Sequence, residues 1–213
     1  GLEAKEPTGL YQFSTAYDGL SFLPQYGQGV RYTGQSGDIS YGVSLQDESF
    51  DPNGIGNLGG SDVNDGTYSI EAVVSLASGN FTYSLGGAFE DADDAGDNSI
   101  INAHVTYVSG AWTLGADYNV ADIESDSNAE VDSWLVMANY AYSDCCSVTG
   151  RISSVELEDD SNVDEEAFKY TLAHNYALSD NLAIITEVSY VELEEGTVDS
   201  EELVGAVEVL FTF

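Results

Sequence analysis

The sequence predicts an all-β protein, a closed antiparallel transmembrane β-barrel that runs as an up-and-down meander of about twelve strands. Three observations carry the prediction. Segments of roughly ten residues alternate apolar and polar with period two. Their connections alternate between tight turns and long acidic stretches. The apolar face of several segments has aromatics near both ends and small or aliphatic residues between them.

The clearest segment is "NFTYSLGGAFE", with Phe81, Tyr83, Leu85, Gly87 and Phe89 on one face and Thr82, Ser84, Gly86 and Ala88 on the other. "AWTLGADYNV" sets Trp112, Leu114, Ala116, Tyr118 and Val120 against Thr113, Gly115, Asp117 and Asn119. "TYSIEAVVSL", "DSWLVMANYAY" and "FKYTLAHNY" follow the same scheme. Segments are expected to begin near Gly9, Gly27, Ile39, Thr67, Asn80, Ser99, Ala111, Val131, Cys146, Ala167, Leu182 and Leu203. In the segment from Cys146, Val148, Gly150 and Ile152 alternate, but Val155 and Leu157 break phase, which predicts a bulge.

One set of connections is short: "QSGD", "ASGN", "VSGA", "SDCC" and "LSDN". Their Gly, Ser, Asn and Asp suit hairpin turns. The other set is long and acidic, such as "QDESFDPNGIGNLGGSDVNDG", "EDADDAGDN" and "ELEDDSNVDEE". Short turns on one side and long loops on the other is the layout of an outer-membrane barrel. One barrel domain over residues 1–213 is expected, with a short N-terminal segment at 1–8.

Alternation alone also fits a soluble sandwich. The two faces argue otherwise. Aromatics such as Tyr68, Phe81, Phe89, Trp112, Tyr118, Phe168 and Tyr176 bracket Ala72, Leu85, Ala116 and Leu172, as two girdles bracket an apolar band. The opposite face is Ser, Thr, Gly and Asn with a few charges. Phe81, Leu85, Trp112, Leu114, Tyr170 and Phe211 are therefore expected to face lipid, and Ser84, Asp117, Lys169 and Glu208 to face inward.

Arg31, Arg151 and Lys169 fall on the polar face together with Glu71, Asp117, Glu187 and Glu208, most of them near mid-height of their strands. A charge facing lipid at that depth costs several kcal/mol, so these seven residues are expected to line a lumen. They are the candidate constriction. Bulky residues on the same face, Leu135, Met137, Ile185, Val191, Val204 and Leu210, argue instead for partial occlusion.

The chain ends on "VEVLFTF", where Val207, Val209, Phe211 and Phe213 share one face. Phe213 is expected to close the barrel, so that the last strand pairs with the first and leaves no free edge. The opening "GLEAKEPTG" has no cleavage-site pattern, which reads as a processed form or a missing start.

Composition narrows the partners. The chain has 38 Asp and Glu against 4 Lys and Arg, for a formal net charge of -34. Nucleic acid is excluded, because phosphate binding needs a basic patch. No apolar run has the length of a transmembrane helix. No nucleophile elbow, phosphate-binding loop or zinc-protease motif is present, and an enzyme is not expected. His104 is expected in the lumen and His174 near the girdle, without a serine partner. "DADDAGDN" lacks the spacing of a calcium loop, so no cofactor is expected beyond non-specific Ca²⁺ or Mg²⁺ at acidic loops bridging to lipopolysaccharide. Cys145 and Cys146 are adjacent, cannot form a CxxC motif, and read as a turn feature with no assigned chemistry.

"GVRYTGQSGDISYGVSLQDE", "KYTLAHNYALSDNLAIITEVSYVE" and "VGAVEVLFTF" resemble hairpins and the final strand of bacterial outer-membrane porins, in the style of the OmpL-like β-barrel porins. General porins have about sixteen strands, whereas this chain has room for about twelve. The terminal Phe213 resembles the C-terminal signature that the barrel-assembly machinery reads. The resemblance implies the outer membrane of a Gram-negative bacterium, contact with lipid and lipopolysaccharide, and passive passage of small hydrophilic solutes and ions. It also implies a homotrimer, for which the outward Ala103, Ala116, Ala138 and Gly150 leave room. Acidic loops at the mouth predict weak cation preference. The other function left open is a structural or surface barrel with an occluded lumen, acting in adhesion or cell-surface assembly.

Overall fold

The computed structural model describes residues 29–46, 68–91, 96–124, 128–158, 165–196 and 198–212. They form eleven strands: β1 (Gly29–Ser36), β2 (Ile39–Gln46), β3 (Tyr68–Ser78), β4 (Phe81–Asp91), β5 (Asp97–Ser109), β6 (Trp112–Ile123), β7 (Ala129–Ser143), β8 (Cys146–Glu158), β9 (Glu165–Ser179), β10 (Leu182–Glu195) and β11 (Val198–Phe211). They make one sheet in chain order, β1 to β11, each strand antiparallel to the next. The expected meander is therefore present. The segment near Gly9, the chain end at Phe213 and most of the longest acidic connection lie outside the described residues. Among the described residues no helix is long and apolar enough to cross a membrane.

The sheet is apolar on its exposed face and polar on its buried face, the inverse of a water-soluble protein. Phe81, Leu85, Trp112, Leu114, Tyr170, Leu172 and Phe211 are exposed, while Glu71, Asn102, Asn119, Ser133 and Lys169 have almost no accessible surface. We call the buried face inner. Aromatic neighbours meet across the outer face: the Trp112 and Tyr140 rings are 4.6 Å apart, and those of Phe81 and Tyr107 also 4.6 Å. Trp134 and Phe168 meet edge-on at 6.3 Å over Ser154, which is paired with both. That cover explains why Ser154 is buried although it points outward.

Just beyond the Trp134 and Phe168 rings the outer face turns acidic. Asp132, Glu156, Glu166, Glu194 and Asp199 occupy one ladder row across β7 to β11. Carboxylates side by side on an outward face need water, so this row marks the edge of the apolar band on the long-loop side.

The hairpin turns come in two kinds. At β1–β2, β3–β4 and β5–β6 the first turn residue is Gly37, Gly79 or Gly110, each with φ near +60°. Glycine at the first position of a two-residue turn matches the twist of the strands, and these ladders run unbroken. At β7–β8 and β9–β10 the turns are Asp144–Cys145 and Asp180–Asn181, with no glycine. There the register slips beside the turn, and Tyr142 and Leu178 are the extra residues. A Cβ on Gly79 would meet nothing within 4 Å, so Gly79→Ala tests backbone conformation alone. It should cost about 1–2 kcal/mol, read from urea unfolding in detergent.

One expectation is corrected. No bulge interrupts β8 at Val155 and Leu157, because the pairings to β7 and β9 are regular through both residues. The two side chains stay in phase and point inward. Leu157 packs with Ala88, Ile100, Ala121 and Val131, and Val155 lies against the cluster. The phase break in the sequence records an apolar row on the inner face.

Candidate functional site

The inner face is read most simply as ladder rows. The apolar cluster is a single row, in which Ala88, Ile100, Ala121, Val131 and Leu157 are successive partners. The same row continues through Glu71 and Ser44 to Arg31 at one end, and to Glu165 at the other. One step toward the short turns, the row becomes Gly86, Asn102, Asn119, Ser133 and Val155. Alternation fixes which residues point inward, and pairing fixes which of them meet.

Three polar groups result. On β2 and β3, Glu71 accepts a hydrogen bond from Ser44 Oγ at 3.1 Å and another from Gln46 Nε2 at 2.5 Å. Arg31 shares this row but stands on the first described strand and is exposed. On β5 and β6, Asp117 accepts from Asn102 Nδ2 at 2.7 Å and from Asn119 Nδ2 at 2.5 Å, and Asn102 also donates to Asn119 Oδ1 at 2.6 Å. His104 sits beside this network, with Nδ1 3.4 Å from Asn102 Oδ1. Converging hydrogen bonds of this kind hold a buried carboxylate in one orientation.

The third group spans β8 to β11. Glu187 interacts electrostatically with Arg151 and Lys169. Ser189 Oγ donates to Glu187 Oε1 at 3.2 Å and lies 2.9 Å from Thr171 Oγ1. Glu208 lies on the next strand, partnered in the ladder by Ile185 two residues before Glu187. Asn139 Nδ2 donates to Thr149 Oγ1 at 2.6 Å on the neighbouring strands.

All seven predicted lumen residues lie on the inner face, but not as one ring. The structure brings Arg151, Lys169 and Glu187 together, puts Glu71 and Arg31 in a separate row, and gives Asp117 an amide shell. Leu135, Met137 and Ile185 are also inward and buried, and Val191, Val204 and Leu210 are half-buried there. Sequence reading missed Glu90, which is buried and bonded to Asn98 Nδ2 at 3.1 Å. Counting on from Ser84, Gly86 and Ala88 reaches it, but its acidic surroundings place it with the loop. Asn98 and Asn102 were missed, and Asn119 was placed on the polar face without being singled out, since amides carry no charge signal. Outside the lumen, the second histidine faces outward as expected, with His174 Nε2 2.7 Å from the Tyr142 hydroxyl. Among the described residues no group of three or more His, Cys, Asp or Glu is placed to hold a metal ion.

An antiparallel meander with an apolar outside, a polar inside and alternating short and long connections is an outer-membrane barrel sheet. The chain belongs to the Gram-negative porin family, whose model matches residues 3–196. Membership places it in the bacterial outer membrane. No curated protein sequence matches it significantly. Solved structures share the fold. A porin refined at 1.8 Å is 16% identical with a TM-score of 0.65, over 87% of this chain and 61% of that one. The outer-membrane channel DcaP of Acinetobacter baumannii is 12% identical with a TM-score of 0.69, over 88% and 62%. An anion-selective porin from Comamonas acidovorans is 15% identical with a TM-score of 0.61, over 84% and 58%. The chain thus spans about three fifths of the length of these porins.

Proposed function

We propose that this protein is a passive diffusion channel for small hydrophilic solutes and ions, weakly cation-selective, and not an enzyme. The observation that carries the reading is the inversion of the sheet, whose buried face holds Glu71, Asn102, Asp117, Arg151, Lys169 and Glu187 while its exposed face is apolar. An apolar outer face around a polar inner one is the arrangement of barrels that pass hydrophilic solutes. Family membership supports the same reading. The weak cation preference rests on the net charge of -34.

The proposal includes a closed barrel of about twelve strands over residues 1–213. The expected strand near Gly9 is the candidate to pair with β11, with Phe213 at the closure. Closure would remove the edges that β1 and β11 leave at the two ends of the sheet among the described residues. It also includes a homotrimer. Ala138 and Gly150 are ladder partners on the outer face, flanked by Leu114 and Leu172, and together make a shallow strip for a second barrel. Lipid, lipopolysaccharide and the barrel-assembly machinery are the expected partners, and Ca²⁺ or Mg²⁺ would meet the acidic loops non-specifically.

A second reading, the occluded surface barrel, is favoured by the apolar inner row with Leu135, Met137 and Ile185. Planar-bilayer recordings separate the two. A channel gives steady conductance steps, and liposomes carrying it swell in small sugars but not in large ones. Silent bilayers from folded protein would favour the occluded barrel.

A further inference from the structure

The β7–β8 turn gathers chemistry that a diffusion channel does not need. Cys145 and Cys146 are the two cysteines of the 213 residues, and they are adjacent. Their Sγ atoms lie 2.8 Å apart, and both thiols are free. Ser143 Oγ is 3.3 Å from Cys145 Sγ. Tyr142, the extra residue of the bulge, interacts with Cys146 and reaches His174 Nε2 at 2.7 Å, with the two rings stacked. An unbroken line of polar contacts thus runs from His174 through Tyr142 to the thiol pair. This is a second independent feature beside the cysteines themselves, and it comes from β9 as well as the hairpin.

The location matters as much as the contacts. Short turns of outer-membrane barrels face the periplasm. That compartment is kept oxidising by thiol–disulfide exchange proteins rather than by a redox buffer. We propose that Cys145 and Cys146 are a thiol–disulfide exchange site on the periplasmic rim, a dithiol that closes to a vicinal disulfide by exchange with a disulfide of a periplasmic protein.

The step balances without other reagents. The exposed Cys145 loses its proton and attacks one sulfur of the incoming disulfide, which breaks, leaves a mixed disulfide on Cys145 and releases one thiol. Cys146 then loses its proton to solvent and attacks Cys145 Sγ, releasing the second thiol. Two protons leave the pair and two electrons pass to the partner's disulfide. Tyr142 and His174 are positioning residues that hold Cys146 for the second attack.

A structural disulfide is the wrong description of this pair. The hairpin is already closed by the Ser143–Cys146 pairing and by the Ala177 N–H, which donates to the Cys145 carbonyl at 2.8 Å. A bond between neighbours encloses no loop, so it constrains the unfolded chain little. Adjacent Cα atoms are about 3.8 Å apart, below the range of about 4.4–6.8 Å of relaxed disulfides. The bond is therefore strained and readily reduced, the mark of a labile pair rather than a staple.

The test uses folded, detergent-solubilised protein and oxidised glutathione. Closure is expected to remove both alkylatable thiols from one chain with loss of two hydrogens in the intact mass, and to be reversed by dithiothreitol. The reduced protein should bind one phenylarsine oxide per chain and the oxidised protein none. Cys146→Ser should stop at a single glutathione adduct. Tyr142→Phe should leave the first step unchanged and slow the second several-fold, so that the adduct accumulates transiently. Two glutathiones on one chain, or disulfide-linked dimers with no closed form, would overturn the proposal.

Discussion

Leu172→Arg is expected to destabilise the folded protein by about 2–4 kcal/mol, the cost of a cationic side chain at the lipid-facing midplane of a barrel. Leu172 lies mid-strand in β9, is 56% exposed, and has Gly150 and Val188 as ladder partners. The arginine would have to cross half the apolar band to reach water. Phe211→Arg is the control. Phe211 ends β11 beside the short turns, where an arginine reaches water and the cost falls to about 0–1 kcal/mol. Reversible urea unfolding into lipid vesicles gives both values. Equal, small costs at the two positions would mean that Leu172 faces water and that the outer face is not a lipid face.

The contrast between these positions was readable from sequence, because the lipid solvent writes a simple rule. Every second residue must be apolar wherever the strand touches hydrocarbon, and Phe81–Leu85–Phe89 or Phe168–Leu172–Tyr176 can only be a girdle, a band and a girdle. Ten of the eleven strands begin within two residues of the starts that rule picks out, and the eleventh, β11, begins five residues earlier, at Val198 rather than Leu203. Its start was missed because the rule ends at the girdle while the ladder does not. Glu194 pairs with Asp199 and Glu166 with Glu194 in water beyond the band, where nothing forces alternation.

The lumen was less legible. Charges stand out in a polar strand, so Glu71, Asp117, Arg151, Lys169 and Glu187 were found. Their grouping was not, because it depends on stagger: each strand is offset against the next, and residues at equal height in sequence fall in different rows. Asp117 shares a row with Lys169 through Leu135 and Ser153, whereas Arg151 lies one inward step nearer the short turns. The apolar row from Ala88 to Leu157 left a trace only as a broken phase at Val155 and Leu157. Inside a barrel an apolar residue is permitted but not required, so periodicity is silent there.

Selectivity follows from that grouping. Glu187 faces two cationic neighbours, Arg151 and Lys169, whose charges offset its own. Removing Arg151 leaves the β8–β11 wall more negative by one unit charge. A unit charge about 4–6 Å from a passing ion in water changes its energy by about 0.7–1 kcal/mol, with opposite sign for a cation and an anion, so the cation-to-anion permeability ratio changes roughly ten- to thirty-fold. Arg151→Ala is therefore expected to raise the cation-to-anion permeability ratio by that factor at low salt, and Glu187→Gln to lower it by a similar one. Arg31→Ala should shift it in the same direction as Arg151→Ala, because Arg31 stands exposed on the inner face. All three effects should shrink toward 1 M salt, where screening acts within about 3 Å rather than the roughly 10 Å of 0.1 M. Reversal potentials across a salt gradient measure each ratio directly. Shifts of the same sign in Arg151→Ala and Glu187→Gln would show that the wall from β8 to β11 does not border the ion path.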